Sequence, residues 1–240
     1  MLISEIYQSK QGEGLLTGTP SVFVRTSGCN LRCSFCDTPF ASWEPEGENL
    51  TVERIVQSVV AASKPGGSEL SDQEPAKHVV LTGGEPMLPR DIDQLCGQLG
   101  GLGFHITIET AGTIHRQLNC DLISVSPKFS NSDPYQSRAG VWREKHQATR
   151  HRPKIVQSLI SDYQYQLKFV VDTPADLPEI LKYLTGINSV DPARVLLMPQ
   201  GIELGELKSK EYWLIPWARE HGFRFCPRRH IEWYGNKRGT

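Results

Sequence analysis

Short runs of β-branched and aliphatic residues recur along the chain, SVFVRT (21–26), HVVLT (78–82), HITIE (105–109), LISVS (122–126), LKFVV (167–171) and RVLLM (194–198), each bounded by glycine or polar positions. Runs of this kind read as strands. Between them the apolar spacing lengthens to a helical period: Val52, Ile55, Val56, Val59 and Val60 share one helix face, as do Leu177, Ile180, Leu181 and Leu184. Strands alternating with helices predict a parallel sheet. A further helix is expected from about Ser209 to His221, through Pro216, before a last short strand at 223–226. Two stretches follow neither period and are expected to be loops. One, 64–76, is rich in Gly, Ser and Pro; the other, 129–153, mixes Asn, Pro and Gly with Arg138, Arg143, Lys145, Arg150 and Arg152. The second reads either as solvated basic surface or as a lid over an anionic substrate.

With 240 residues and no internal repeat, one domain over 1–240 is expected, long enough for a buried core. Lys and Arg total 26 against 27 for Asp and Glu, a net charge of -1, so the broad basic field of a nucleic-acid binder is missing. No apolar run approaches the roughly 20 residues that span a bilayer, and MLISE at the start has neither signal nor transit character. A cytoplasmic protein with no membrane or nucleic-acid partner is the expectation.

The cysteines sharpen this picture. Six are too few for a disulfide scaffold, yet Cys29, Cys33 and Cys36 stand in the spacing C-x3-C-x2-C. A closed zinc site takes four protein ligands, and the nearest downstream histidine is His78. Three thiolates on one loop suit an iron–sulfur cluster with one iron open to another ligand, whereas an electron-transfer cluster takes four. A Cys3His zinc module is the alternative. Cys96, Cys120 and Cys226 are scattered and read as buried structural thiols.

With the aromatic Phe35 just before the last cysteine, this motif resembles the radical S-adenosylmethionine (SAM) superfamily. The resemblance implies an α/β fold, an incomplete (β/α) barrel of about six parallel strands. It also implies a [4Fe-4S] cluster on the three cysteines, with SAM chelating the fourth iron and giving a 5′-deoxyadenosyl radical on one-electron reduction. Gly83-Gly84-Glu85-Pro86, after the 78–82 strand, is similar to the superfamily's GGEP segment at the methionine end of SAM. There the glycines admit close backbone approach, and Glu85 is the expected acceptor for the ammonium.

Within the superfamily the chain resembles the 7-carboxy-7-deazaguanine synthase family over nearly its whole length. The matching segments are IYQSKQGEG (6–14), GTPSVFVR (18–25), Cys36-Asp37-Thr38, ETAGT (109–113), VSPK (125–128) and Pro199-Gln200. The family converts 6-carboxy-5,6,7,8-tetrahydropterin to 7-carboxy-7-deazaguanine and ammonia, a radical ring contraction on the route to queuosine that uses SAM and Mg2+. The resemblance implies substrate contacts at Lys10, Gln11, Gly12, Arg25 and Thr82, the first three in a hairpin near 1–20. A Gln amide offers both donor and acceptor to a pterin edge, and the Arg fork suits a carboxylate. Thr38 is the implied Mg2+ ligand, in keeping with the oxygen preference of that ion. SAM contacts are implied at Gly84, Ser126, Pro127, Lys128, Met198, Pro199, Gln200 and Gly201. No side chain is assigned as a catalytic acid or base, because the radical chemistry belongs to the cofactor.

The implied partners are a flavodoxin or ferredoxin as electron donor and a second copy of the chain in a homodimer. A radical SAM activase that makes a glycyl radical on another protein shares the cysteine motif but lacks the 11–14 hairpin residues. The stretch 226–240 extends beyond shorter family members, some of which use their last residue against substrate.

Overall fold

A computed structural model of the chain describes residues 1–64, 75–135, 137 and 140–240. Most of the expected 64–76 loop, and Arg138, lie outside the described residues. β1 (Leu2–Lys10) and β2 (Pro20–Thr26) form the expected N-terminal hairpin. The one-turn helix α1 (Pro39–Ser42) follows the cysteine loop, and the two-residue β3 (Glu48–Asn49) pairs with the outer edge of β1. After α2 (Val52–Ala62), β2 is joined in parallel by β4 (His78–Gly83). The chain continues with α3 (Ile92–Gly101), β5 (His105–Thr110) and β6 (Leu122–Val125), then α4 (Trp142–Arg150) and α5 (Pro153–Asp162). Next come β7 (Tyr165–Val171), α6 (Leu177–Thr185) and β8 (Val195–Pro199). It ends with α7 (Leu204–Glu220), β9 (Arg224–Phe225) and α8 (Arg229–Tyr234). The sheet is open, in the order β3-β1-β2-β4-β5-β6-β7-β8-β9, and parallel from β2 to β9. The strands expected from the sequence are all present, and the sheet leaves the barrel incomplete.

Side chains along a strand alternate between faces, and here the two faces have opposite chemistry. Val22, Val24, Val79, Leu81, Ile106, Ile108, Leu167, Phe169 and Leu197 belong to the main apolar core with helix residues such as Ile55, Val59, Leu95 and Ile180. Each such side chain contributes about 1.5–3 kcal/mol by leaving water. The intervening positions include Arg25, Thr82, Glu109, Ser124, Gln166 and Lys168, beside a small separate apolar group of Val170, Leu196 and Met198. A parallel sheet covered on both faces usually reads as continuously apolar, so polar residues at alternate positions mark a working surface.

The expectation of a loop over 129–153 is corrected by α4, α5 and the 3-10 turn at Ser130–Ser132. The sequence WREKHQATR offers almost no apolar period, because polar contacts hold α4 in place. His146 is fully buried; its Nδ1 accepts the Arg32 backbone N–H at 3.1 Å, and its Nε2 lies 3.0 Å from Ser132 Oγ. Arg150 donates to Asp133 at 2.8 Å, and the Arg32 guanidinium stacks 4.0 Å from the centre of the Trp142 ring. The helix at the C-terminal end starts at Leu204, ahead of its expected start, and runs through Pro216. Proline there removes a bond to the carbonyl of Tyr212, whose side chain is exposed.

Burial pulls the His146 pKa down to about 4. Folding therefore selects the neutral ring, and its contribution is complete above the ordinary histidine value of about 6.5 and lost as the pH falls toward 4. The unfolding free energy in urea should drop by about 2 kcal/mol more in the wild type than in His146→Gln between pH 7 and pH 5. Parallel pH profiles for the two proteins would remove His146 as the source.

Candidate active site

The polar face of the sheet opens into a cavity of about 510 Å³ at the C-terminal ends of the parallel strands, where open α/β folds gather their chemistry. One wall is the loop between β2 and α1. Gly28, at φ +103°, turns the chain off the strand so that Cys29, Cys33 and Cys36 line the cavity. The loop is braced on its far side. Ser34 N–H donates to Ser132 O at 3.0 Å, Trp43 Nε1 to Cys33 O at 3.1 Å, and Asn30 Nδ2 to Thr113 Oγ1 at 2.9 Å. All three cysteines are free thiols, and burial pushes Cys29 and Cys33 up to about 12.

Buried thiols of this kind ionise only beside positive charge, which bound iron supplies. Among the described residues, no three His, Cys, Asp or Glu side chains converge on a single ion. The three thiols all line the one cavity, and three thiolates are the ligand count of a polynuclear cluster in which each takes its own iron. The donor set fits the cluster expected from the motif.

On the strand side, the alternate positions carry a chain of paired charges. Lys168 Nζ lies 2.5 Å from Glu13 Oε2 and 3.4 Å from Glu109 Oε1. Arg228 Nε donates to the other Glu13 oxygen at 3.0 Å, while its fork also reaches Asp37 and, at 2.6 Å, Gly201 O. Burial alone would raise the Glu13 pKa, but Lys168 and then Arg228 hold it well below the carboxylate range. Burial would lower the Lys168 pKa, yet Glu13 and Glu109 raise it well above the usual lysine value. Glu13 is thus an anion and Lys168 a cation inside the wall.

The expected substrate residues Lys10, Gln11, Gly12, Arg25 and Thr82 all line this cavity. Gln11 is fixed by donation of its Nε2 to Ser21 Oγ at 2.9 Å, and among the described residues no group donates to its Oε1. A Cβ on Gly12 would run into His230, and Arg229 N–H donates to Gly12 O at 2.9 Å. Arg25 is already engaged, by Glu5 at 2.8 Å and the Tyr7 hydroxyl at 3.1 Å. Thr82 donates to Glu109 at 2.9 Å, and Thr38 Oγ1 lies 3.8 Å from Cys36 Sγ.

Of the expected SAM residues, Gly84, Ser126, Lys128, Met198, Pro199 and Gln200 line the cavity. Gly84 packs where a side chain would strike the carbonyls of Gly28 and Ala41, so it joins the strand end to the cysteine loop. Lys128 Nζ is anchored by Ser126 O at 2.8 Å and Ser126 Oγ at 2.6 Å. Pro127 and Gly201 stand outside the lining. Glu85 also stands outside the lining. Its carboxylate is fully buried and accepts from Thr110 Oγ1 at 2.8 Å, Ala111 N at 2.9 Å and Met87 N at 3.2 Å. Glu85 therefore ties the turn after β4 to the end of β5.

The sequence reading did not assign Glu13, Asp37, Lys168, Arg228, His230 or the 236–240 stretch, all on the cavity wall. Lys168 carried a signal, a lone cation between Leu167 and Phe169 in an apolar strand. Arg228 carried none, because only the return of the C-terminal segment over the hairpin brings it to Glu13. No residue of α4 lines the cavity.

The chain matches the radical SAM superfamily over residues 23–150. It is 46% identical to the 7-carboxy-7-deazaguanine synthase of Rhodopirellula baltica, across 100% of this chain and 89% of that one. It is 44% identical to the enzyme of the same name from Halobacterium salinarum, across 95% and 88%. Among solved structures it shares its fold with QueE from Escherichia coli, at a TM-score of 0.64 and 24% identity over 95% and 94% of the two chains.

Removing one partner of a buried pair strands the other charge, at about 3–5 kcal/mol. Lys168→Met should cost about 3 kcal/mol in denaturant unfolding, the low end, because Arg228 remains beside Glu13. Adding Glu13→Gln should recover part of that loss. A double variant whose cost is the plain sum of the singles would show that the two side chains are not coupled.

Proposed function

The chain belongs to the 7-carboxy-7-deazaguanine synthase family of radical SAM enzymes, and on that premise we propose that its cavity holds SAM and 6-carboxy-5,6,7,8-tetrahydropterin together and releases 7-carboxy-7-deazaguanine and ammonia. The observation that carries this reading is convergence. The three thiols, the Gly84 turn and the 10–13 hairpin residues face a single space.

Cys29, Cys33 and Cys36 would each hold one iron of a [4Fe-4S] cluster. Gly84, Ser126, Lys128 and the backbone of 198–201 would receive SAM, with Pro127 shaping the turn between Ser126 and Lys128. When bound, the cluster and SAM supply the one-electron chemistry, and Mg2+ supplies a hard cation for substrate oxygens. Everything else falls to the protein's own groups. The free Oε1 of Gln11 accepts from the pterin edge. Lys10 and the backbone of Gly12 border the same edge. Ionised Glu13 is an acceptor on the strand side, as are the carboxylate oxygens of Glu109, and protonated Lys168 is a donor. Arg25 offers its remaining N–H groups to the substrate carboxylate, with Glu5 and Tyr7 fixing the plane of the guanidinium. Thr82 is placed by Glu109, and Thr38 is the Mg2+ ligand. The His230 ring over Gly12 and the 236–240 stretch keep water from the pterin side.

A flavodoxin or ferredoxin is the electron donor in this reading, the chain works as a homodimer, and the reaction takes place in the cytoplasm. Among the described residues no helix is long and apolar enough to cross a membrane.

Anaerobically reconstituted protein given SAM, Mg2+, a reductant and the pterin should yield ammonia and 7-carboxy-7-deazaguanine. An intact cluster with neither product would overturn the proposal. Thr38→Ala should blunt the response of turnover to added Mg2+ while SAM binding holds; an unchanged metal titration would take Thr38 off the ligand set. Arg25→Lys keeps the charge but loses the planar fork, so kcat/KM for the pterin should fall by about 1–3 kcal/mol. SAM cleavage without pterin should change far less. Equal losses in both reactions would make Arg25 a brace for the cysteine loop.

A further inference from the structure

We propose that Arg238 is a positioning residue for the substrate carboxylate: it holds Glu5, and Glu5 in turn holds Arg25 in the plane that the carboxylate needs. The proposal rests on the reading of Arg25 given above and adds how the segment after α8 governs that contact without touching the substrate. Two observations carry it, the sharing of Glu5 and the separate anchoring of Arg238.

Glu5 is divided between two arginines, one oxygen to each. Arg25 Nε donates to Oε2 at 2.8 Å, and Arg238 Nε donates to Oε1 at 2.9 Å. The terminal torsion of a glutamate is broad and roughly two-fold, so its own rotamer preference does not fix the carboxylate plane. Held at one oxygen, the group can swing; held at both, it presents Oε2 to Arg25 in one orientation. The other side of the Arg25 guanidinium is already set by the Tyr7 hydroxyl at 3.1 Å, on a ring stacked against Phe23 with centroids 5.3 Å apart. Glu5 is therefore the contact whose placing decides where the remaining Arg25 N–H groups point.

Arg238 is fixed independently of Glu5. Its Nη1 donates to Glu46 Oε1 at 2.5 Å, and its guanidinium carbon lies 3.7 Å from the centre of the Phe40 ring. Glu46 and Phe40 form one unit, since the Glu46 N–H donates to Phe40 O at 2.9 Å. An exposed ion pair by itself contributes little, because two long side chains must be ordered to make it. The second carboxylate and the aromatic face order Arg238 before Glu5 meets it, a stacking that a cation on a ring favours. Arg238 lines the cavity with the rest of 236–240, but its Nε and Nη1 are engaged by carboxylates and its face by Phe40. What it contributes to the substrate is the placing of Glu5.

The test uses reconstituted holoenzyme with SAM and Mg2+, left unreduced so that no turnover occurs, and titrates it anaerobically in a calorimeter. Two ligands are compared, 6-carboxy-5,6,7,8-tetrahydropterin and the parent tetrahydropterin without the carboxylate. The readout is the ratio of their dissociation constants, which a general loosening of the site leaves unmoved because it weakens both ligands alike. Arg238→Ala should lower the preference for the carboxylated ligand about fivefold, the scale of one exposed ion pair at its upper end. Arg238→Lys, with no fork to span Glu5 and Glu46, should fall between Ala and wild type. Glu5→Gln keeps the shape but has one accepting oxygen and cannot hold both arginines, so adding Arg238→Ala to it should change the preference no further. A wild-type preference in Arg238→Ala would overturn the proposal. So would a full further loss in the Glu5→Gln background, which would mean that Arg238 binds the carboxylate itself. Arg25→Lys separates this from the reading beneath it: a preference kept there would overturn the role of Arg25 and this proposal with it, whereas a preference lost there but kept in Arg238→Ala would overturn this proposal alone.

Discussion

A polar cavity inside a parallel sheet is possible only if every charge in its wall is compensated, and in this protein one chain of ion pairs does that for four separate parts of the fold. Glu13 comes from the hairpin, Lys168 from the centre of β7, Arg228 from the segment before α8 and Asp37 from the end of the cysteine loop. No two are neighbours in sequence. Each charge is tolerable in the wall because the next one is there, so the hairpin, the cysteine loop and the C-terminal segment are held in mutual register by electrostatics on one face while the apolar core secures the other. The ligand-facing side of the sheet is thereby pre-charged and fixed before anything binds, which is what electrostatic positioning of a substrate requires.

The same partition explains what could be read from the sequence. Where stability comes from apolar periodicity, as in α2, α6 and the parallel strands, the elements were legible, because their core positions repeat at two or about 3.6 residues. The cysteine spacing and the Gly83-Gly84 turn were legible for a different reason: local chemistry confined to one loop needs no tertiary partner to be recognised. α4 was hidden because its anchor is the single buried His146, and a lone histidine in a charged segment has no period. Glu85 shows both kinds of information at once: its place in the turn after β4 is local and legible, whereas only the fold brings the donors Thr110 and Ala111 to its carboxylate. Arg228 and His230 could not have been found, since their meaning depends on a contact about 215 residues away in the chain.

Around the thiols, burial and support act together. The Cys29–Cys36 loop has no regular structure of its own, and its shape is dictated from outside by Ser132, Trp43, Thr113 and His146. A ligand set held by its surroundings in this way is preorganised without rigid local backbone, and it separates two faces: thiols toward the cavity, and the Arg32 guanidinium toward the Trp142 ring of α4.

The contacts of the C-terminal segment with the hairpin also set an order of assembly. Arg228 on Glu13, Arg229 on Gly12 and Arg238 on Glu5 join residues from near the start of the chain to residues that the ribosome adds more than 200 positions later. Chains fold from the N-terminal side as they are made, so the sheet can form while this side of the cavity is still open. The wall that Arg228, Arg229 and Arg238 pin to the hairpin is therefore the last part of the site to be completed.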